Sequence, residues 1–385
     1  MIAYVTTQGA KITKEGRRLL VMKGNDTVHT LFSYNLEQLL VFGRVELSHS
    51  AIASLFRNEV DTVFLSQNGR YIGRLGHVDS KNVFLRRKQF RLLEDTEFAL
   101  RVAKAIVLGK ISNQATLLKR IKRSKQERDP GILADQITAM RPRIFECENL
   151  DALRGYEGRA AALFFDGFKY GLKGSWGFQK RIRRPPTDPV NSVLSLLYTF
   201  LMNRVYPAVR IAGLDPCVGG LHCLDYGRYS LVLDLMEEFR SIIADTLTLS
   251  IFNLGILKEN DFQAVAPAEP KEPAVKQEGM ADVAADPIGW ISTPDISSEI
   301  FDLPEQAVEA SAVCAEAGEG KLPIVLVPDA MGKVIDAFER KLETKFFYGP
   351  GQREITYAQA LIEQALQYRK VVDGEISDYQ PLLLR

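Results

Sequence analysis

Hydrophobic and polar residues follow two patterns along the chain, and the pattern changes near residue 94. Up to about residue 88, short runs of strand-forming side chains are separated by glycine-containing turns, which is typical of β structure. These runs read AYVTT, RLLVMK, LLVFGRVEL, TVFLSQ and RYIGRL. From Glu94 or Asp95 onward, apolar residues recur at helical spacing, first in FALRVAKAIVLGKI. The pattern predicts an α+β multidomain protein, with a small N-terminal β domain followed by a larger all-α domain.

The clearest helix start lies at Asp188 and Pro189. An aspartate before the first turn accepts free backbone amides, and proline is tolerated in that turn. The stretch that follows, 190–206, is nearly all apolar on one side, so we predict a helix in the centre of the core.

The domain boundaries follow these changes of pattern. Segment 263–287 has four prolines and no aromatic residue, so it buries too little apolar surface to offset its ordering entropy. We therefore predict five parts: a β-rich domain at 1–90, an α-helical catalytic domain at 91–262, a flexible linker at 263–287, an insertion of uncertain structure at 288–325, and C-terminal helices at 326–385 that complete the α domain.

Positive charge is concentrated in two places, although the formal net charge of +1 argues against a uniformly basic nucleic-acid binder. The basic residues at 119–128 fit a solvated helix face as well as they fit a nucleic-acid contact. For 180–184, two prolines directly after the arginines stiffen the backbone, and arginine forks match phosphate oxygens. The predicted DNA-backbone contacts are therefore Lys180, Arg181, Arg183 and Arg184. Arg228 is a further candidate for DNA binding.

The four cysteines form no CxxC pair, and the expected state is reduced thiols packed in the protein. Cys217, His222 and Cys223 lie close in sequence, but no second cluster completes a structural zinc site. The N-terminus has no signal-like pattern, and no apolar run approaches the roughly 20 residues of a membrane helix. We expect a cytoplasmic protein.

Three stretches supply candidate metal ligands. They are GYEGRAAALFF around Glu157, GLHCLDYGR around His222, and SLVLDLMEEF with Asp234 and Glu237. Carboxylates and an imidazole that converge from separate elements make a mixed oxygen and nitrogen site suited to Mg²⁺ or Mn²⁺. Such a site is typical of phosphoryl transfer.

Each candidate also has a structural explanation. An acid at the start of a helix, where we place Glu157, can stabilise the helix N-terminus, and His222 is equally compatible with a core histidine. Asp234 and Glu237 are three residues apart and share a helix face, but Asp234 is also within reach of Arg228 or Arg240. We expect the next acid, Glu238, and Arg240 to lie on the solvated surface.

Several of these motifs, taken in order, resemble one known family. YEGRAAALFF, KRIRRPPTDPVNSVLSLLYTFL and GLHCLDYGRYSLVLDLMEEFR are similar to the CRISPR-associated integrase/endonuclease family, the universal spacer-acquisition nuclease of CRISPR adaptation. LFSYNLEQLLVFGRVELSHSAI, VFLSQNGRYIGRL, AIVLGKISNQATLLKR and DAMGKVIDAFERKL also agree. The resemblance covers most of the chain except roughly residues 260–325.

The resemblance implies a function and a set of roles. The expected activity inserts short foreign DNA fragments into a CRISPR array by 3′-hydroxyl transesterification, with Glu157, His222 and Glu237 as metal ligands. Asp234 is then a second acid near the ion, and Tyr198 lies near the catalytic pocket. The implied partners are double-stranded DNA, namely the prespacer and the CRISPR repeat, a second copy joined through the β domain, and a small bridging protein.

Two other functions remain open on the residues alone. One is a DNA-binding adaptor of the adaptation complex with a decayed site, although every expected ligand type is present. The other is a small-molecule metal-dependent phosphohydrolase, which would not need the two basic clusters. Steep loss of DNA affinity with rising salt would separate a DNA-binding protein from the latter.

Overall fold

The N-terminal part of the chain is built from two small sheets in the computed structural model, which describes residues 1–76, 82–182, 185–222, 225, 227–265 and 322–384. Residues 1–76 form eight strands and one helix. These are β1 (Ile2–Val5), β2 (Lys11–Glu15), β3 (Arg18–Lys23), β4 (Asp26–Phe32), β5 (Gln38–Phe42), β6 (Glu46–Leu47), α1 (His49–Arg57), β7 (Asp61–Leu65) and β8 (Tyr71–Arg74). All five predicted runs contain strands, so this part of the prediction is confirmed.

One sheet joins the N-terminal domain to the rest of the protein. Its strand order is β1-β5-β7-β8, with β5 parallel to both of its neighbours. Successive side chains of a strand point to opposite faces, and β5 is buried on both. Leu39 and Val41 pack in a small core that includes residues of α1, whereas Leu40 and Phe42 pack in the core of the helical region. The second sheet, β4-β3-β2-β6, covers the small core from the other side.

Helices dominate the chain after residue 82, as predicted. They are α2 (Val83–Glu94), α3 (Thr96–Lys125), α4 (Asp129–Ala139), α5 (Arg141–Glu146), α6 (Leu150–Phe168), α7 (Pro189–Ile211), α8 (Ser230–Phe239), α9 (Thr246–Asn253), α10 (Pro328–Glu343) and α11 (Tyr357–Asp373). The first begins about eleven residues earlier than the pattern predicted, because α2 is strongly charged and its apolar face is too narrow to reveal the helical period.

Helix α7 lies in the centre of the helical core, as its apolar face predicted. The Asp188 carboxylate accepts a hydrogen bond from the backbone N–H of Asn191 at 2.8 Å, and Pro189 occupies the first turn. Both sequence signals for the helix start are confirmed.

The helical region is not purely α. In its described part, β9 (Phe262–Ala264) pairs with β10 (Ile324–Leu326), and β11 (Lys345–Tyr348) pairs with β12 (Arg353–Thr356). Gln263 and Ala264 therefore belong to a strand rather than to the predicted linker, and residues 324–325 belong to β10 rather than to the insertion. The remainder of the predicted linker and insertion, 266–321, lies outside the described residues.

Candidate functional site

Glu157 lies in the middle of α6, so its predicted position at a helix start is wrong. The helix begins at Leu150, where the side chain of Asn149 accepts a hydrogen bond from the N–H of Ala152 at 2.9 Å. The cap is therefore made by another residue, about two turns before Glu157. The Glu157 side chain is buried and faces α3 and α8, where a carboxylate needs a cationic partner.

His222 is held by Asp234. The Oδ1 atom of Asp234 lies 2.6 Å from Nδ1 of His222 and also accepts the backbone N–H of His222 at 3.0 Å. Oδ2 accepts the N–H groups of Gly220 at 2.7 Å and Leu221 at 3.0 Å. A carboxylate at Nδ1 requires a donor there, so the neutral ring carries its proton on Nδ1 and keeps a lone pair on Nε2.

The contacts of Asp234 decide between the two interpretations of this residue. Both oxygens are used by the His222 loop, so Asp234 serves this loop rather than an ion pair with Arg228 or Arg240. The side chain is fully buried, and four donors compensate its loss of hydration.

Gly219 allows the loop to approach α8 this closely. A Cβ atom at this position would lie 2.6 Å from Oδ2 of Asp234, 2.7 Å from the carbonyl carbon of Ser230 and 2.8 Å from the nitrogen of Leu231. Two of these atoms are backbone and cannot turn aside. The glycine is therefore required for the three N–H groups of the loop to reach Asp234.

Glu237 lies on the same face of α8 as Asp234, as the spacing predicted, and contacts the other side of the imidazole. Nε2 of His222 is 3.9 Å from Oε1 of Glu237. The same oxygen receives Arg240 at 3.1 Å, from the π-helical segment Arg240–Asp245 that continues α8. A π-helical turn is frequent at functional sites, and here it brings a guanidinium onto the carboxylate.

Lys110, in the middle of α3, completes the cluster and was missed by the sequence analysis. Its ammonium contacts Oε1 of Glu157 and lies 2.6 Å from Oε2 of Glu237. The side chain is only 7% exposed. A single lysine among apolar residues in the buried stretch AIVLGKIS was the available signal, because a buried lysine needs an anionic partner.

The charges around Glu237 keep it ionised. Burial by itself raises the pKa of this carboxyl, but Arg240, Lys110 and His222 outweigh burial and lower the pKa to about 2. A buried carboxylate that remains charged at neutral pH is a strong attractor for a cation.

The donor set fits a divalent ion. Across the described residues, no three His, Cys, Asp or Glu side chains stand close enough together to hold an ion as arranged. At this cluster a cation already lies between Glu157 and Glu237, and it is the Lys110 ammonium. Oε2 of Glu237 is buried, and the Lys110 ammonium lies 2.6 Å from it. Two carboxylates and a free Nε2 on His222 are the hard and borderline donors that Mg²⁺ and Mn²⁺ take.

The C-terminal residues 379–382 pack against α8 and hold this cluster in place. Glu238 accepts hydrogen bonds from the hydroxyl of Tyr379 at 2.8 Å, from the N–H of Leu382 at 2.6 Å and from Gln364 at 3.0 Å. The Asn113 amide, one turn after Lys110, donates to the carbonyl oxygens of Leu382 and Glu238. The expected solvated position of Glu238 is wrong, because this segment docks on α8 from a distant part of the sequence.

Arg240 is also mostly covered rather than solvated, with 16% of its side chain exposed, and its guanidinium lies near Tyr198. The guanidinium groups of Arg240 and Arg181 lie 4.8 Å and 5.4 Å from the centre of the Tyr198 ring, whose hydroxyl donates to Asp245 at 2.6 Å. Arg240, Arg181 and Tyr198 line a cavity of about 620 Å³ that also reaches Arg70 of the N-terminal domain. The cavity is therefore basic on the side nearest Glu237.

The predicted DNA contacts have different environments. Lys180 is exposed. Arg181 donates to Asn191 Oδ1 and Ser195 Oγ, both at 2.9 Å, so it is fixed on the wall of the cavity. Arg228 is only 3% exposed, which removes it from the surface available to a DNA backbone. Arg183 and Arg184 lie outside the described residues.

Two further expectations can be compared with the structure. Cys147 and Cys217 are free thiols, and Cys223 and Cys314 lie outside the described residues. In the part of the chain that the structure describes, no helix combines the length and apolar content needed to cross a bilayer.

Comparison with known proteins indicates one family. The family model for CRISPR associated protein Cas1 matches residues 3–276. The protein named CRISPR-associated endonuclease Cas1 3 of Thermus thermophilus is 37% identical over 263 residues, which cover 68% of this chain and 77% of that protein.

Two solved structures share the fold. A casposase bound to integration product matches with a TM-score of 0.77 and 18% identity, over 100% of this chain and 94% of that one. A Cas6-RT-Cas1–Cas2 complex matches with a TM-score of 0.76 and 20% identity, over 100% of this chain and 36% of that one. The extent of the family match and the identity to the Thermus protein show that the chain belongs to the CRISPR-associated protein Cas1 family.

Proposed function

We propose that the chain is a metal-dependent DNA integrase and endonuclease, which inserts short DNA fragments into a CRISPR array by 3′-hydroxyl transesterification. The observation that carries the proposal is that Glu157 and Glu237 share one cation, the Lys110 ammonium, while Nε2 of His222 lies 3.9 Å from the other oxygen of Glu237. Membership in the Cas1 family supports it, since a relative of 37% identity is named an endonuclease. The casposase of the same fold, bound to an integration product, supports the strand-transfer chemistry.

In this proposal Glu157, Glu237 and His222 hold Mg²⁺ or Mn²⁺, whose charge polarises a scissile phosphate and lowers the pKa of an attacking hydroxyl. The protein supplies the position of the donors. Asp234 fixes the tautomer and orientation of His222, so we assign it a positioning role rather than a place beside the ion. Arg240 holds the Oε1 side of Glu237 and leaves Oε2 directed at the cation position.

The reaction needs no protein nucleophile. The 3′-oxygen of the incoming strand forms a bond to a target phosphorus, and the bond from that phosphorus to the target 3′-oxygen breaks. The proton of the attacking hydroxyl passes to water, and the departing 3′-oxygen takes up a proton from water and leaves as a hydroxyl. With water as the nucleophile, the same site cuts DNA. The protein has to bring the two strands into line next to the ion, and the basic cavity lined by Arg181 and Arg240 lies next to Glu237.

The proposed partners follow from the same function. Double-stranded DNA would contact the exposed Lys180 and the stretch 183–184. Two active sites held a fixed distance apart insert the two ends of one short duplex, which favours a homodimer and a small protein that bridges two dimers. A Cas1–Cas2 assembly among proteins of this fold supports Cas2 as the bridging partner.

A joining assay tests the proposal. A labelled short duplex is incubated with supercoiled plasmid in Mn²⁺ or EDTA, once with 3′-hydroxyl ends and once with 3′-dideoxy ends, with and without the bridging protein. The expected result is joining with Mn²⁺ and 3′-hydroxyl ends, and loss of joining in Glu157→Gln. Salt-sensitive DNA binding without joining under all conditions would favour the adaptor, and joining in EDTA would contradict the metal.

A further inference from the structure

The position of Lys110 suggests a role that the family and the predicted ligand set do not assign. Its ammonium contacts both Glu157 and Glu237, the two carboxylates proposed to hold the ion, and lies 2.6 Å from Oε2 of Glu237. The side chain is 7% exposed, and its two partners are 9% and 3% exposed. A lysine in this position neutralises a buried pair of like charges.

Without Lys110 the two carboxylates would be costly to bury. Arg240 compensates Glu237 from the Oε1 side, but among the described residues Glu157 forms an ion pair with Lys110 alone. Removal of one partner of a buried ion pair leaves an uncompensated charge, which is strongly destabilising. The metal-free protein therefore needs a cation at this position to keep α3, α6 and α8 together.

The same cation cannot remain when a divalent ion binds. Carboxylate oxygens bind Mg²⁺ at about 2.0–2.1 Å, and an ammonium between the same two oxygens would occupy that space and repel the ion. Lysine has a flexible four-carbon stem, so the ammonium can move away while α3 stays in place. An arginine fork or a buried hydrophobic residue could not make this exchange.

We propose that Lys110 is an internal substitute for the metal: its ammonium holds the carboxylate pair in the metal-free protein and is displaced by the divalent ion. Metal binding is then an exchange of one cation for another. The affinity of the site for the divalent ion is therefore lower than it would be for the same metal ligands without Lys110. The inference rests on the proposed function, since it requires that Glu157 and Glu237 hold the ion.

The test uses the full chain and Lys110→Met, which keeps an unbranched side chain without the charge. The melting temperature is measured in EDTA and in Mn²⁺, and the Kd for Mn²⁺ is measured by isothermal titration calorimetry. We expect Lys110→Met to melt several degrees lower in EDTA, to recover most of this loss in Mn²⁺, and to bind Mn²⁺ about tenfold more tightly. The control is Lys119→Met on the same helix, where an exposed lysine pairs with Asp135 at 3.6 Å and little change is expected.

A second variant keeps the test decisive if Lys110→Met folds poorly. Lys110→Met combined with Glu157→Gln removes one charge of each sign, so it should recover stability in EDTA while it loses Mn²⁺ binding. Unchanged melting and an equal or weaker Mn²⁺ affinity in Lys110→Met would overturn the inference but not the proposed function, provided the unmodified chain binds Mn²⁺. If the unmodified chain binds no Mn²⁺ with Glu157 and Glu237 intact, both are overturned.

Discussion

The substitution Asp234→Asn isolates the contribution of one buried carboxylate to the site. Asp234 accepts the N–H groups of Gly220 and Leu221 on one oxygen, and the N–H and Nδ1–H of His222 on the other. Asparagine has almost the same shape but replaces one oxygen with an NH₂ donor. Whichever way the amide is turned, its NH₂ group then faces two N–H donors. Two of the four hydrogen bonds are therefore lost.

The size of the effect follows from these contacts. A hydrogen bond to a charged group contributes about 1.5–3 kcal/mol, so the loss of two predicts a fall of about 3–6 kcal/mol in the free energy of unfolding. If the NH₂ faces His222, the ring proton moves to Nε2 and the lone pair proposed for the metal is lost. If it faces Gly220 and Leu221, the loop is displaced. We therefore also expect Mn²⁺ affinity to fall at least about tenfold.

Urea unfolding in EDTA and calorimetric titration with Mn²⁺ measure the two effects. Asp166→Asn is a matched control, because this exposed carboxylate pairs with Lys169 on the surface of α6 and its loss should cost less than about 1 kcal/mol. An Asp234→Asn protein as stable as the control, with unchanged Mn²⁺ affinity, would refute the assignment of Asp234 as the residue that positions His222.

The remaining predictions concern three other positions. Gly219→Ala should lower the free energy of unfolding by about 1–3 kcal/mol and abolish joining, because the added Cβ meets the backbone of Ser230. Urea unfolding and the joining assay measure the two effects, and an unchanged urea midpoint would contradict the prediction. Burial raises the pKa of the Glu238 carboxyl from its ordinary 4.5 to about 7, against the opposing effect of its three hydrogen bonds. The folded protein therefore binds the extra proton, and the free energy of unfolding should fall by about 3 kcal/mol as pH rises from 4.5 to 7; Glu238→Gln should remove this dependence in urea titrations across that range. Tyr198→Phe should cost about 1–3 kcal/mol by leaving Asp245 without its 2.6 Å donor, and joining per folded molecule should persist; loss of joining at full stability would instead give the hydroxyl a catalytic role.

The sequence was most informative where a residue's role depends on its near neighbours. The helix start at Asp188 and Pro189 and the shared face of Asp234 and Glu237 follow from spacings of one to three residues, and the structure has both. The strands of the first 76 residues were predicted for the same reason, since short strand-forming runs between glycine-containing turns are a local signal.

The sequence failed where a distant segment determines the environment. Glu238 follows Glu237 on a helix whose ten residues are all buried, and Tyr379 and Leu382 enclose it from more than 140 positions away. Lys110 lies 47 residues before Glu157, so only the fold brings the ammonium to the carboxylates. The misplaced start of α6 is a local error instead, because Asn149, which caps the helix, lies about two turns before Glu157.

The proposed function requires that Glu157, Glu237 and Nε2 of His222 hold one catalytic divalent ion. Anomalous diffraction at the manganese edge, from crystals of the full chain grown with Mn²⁺, tests it most directly. We predict one strong peak at coordination distance from these three side chains, with the Lys110 ammonium displaced from between the carboxylates. A peak elsewhere, or Lys110 still between Glu157 and Glu237 with no peak beside them at saturating Mn²⁺, would contradict the account.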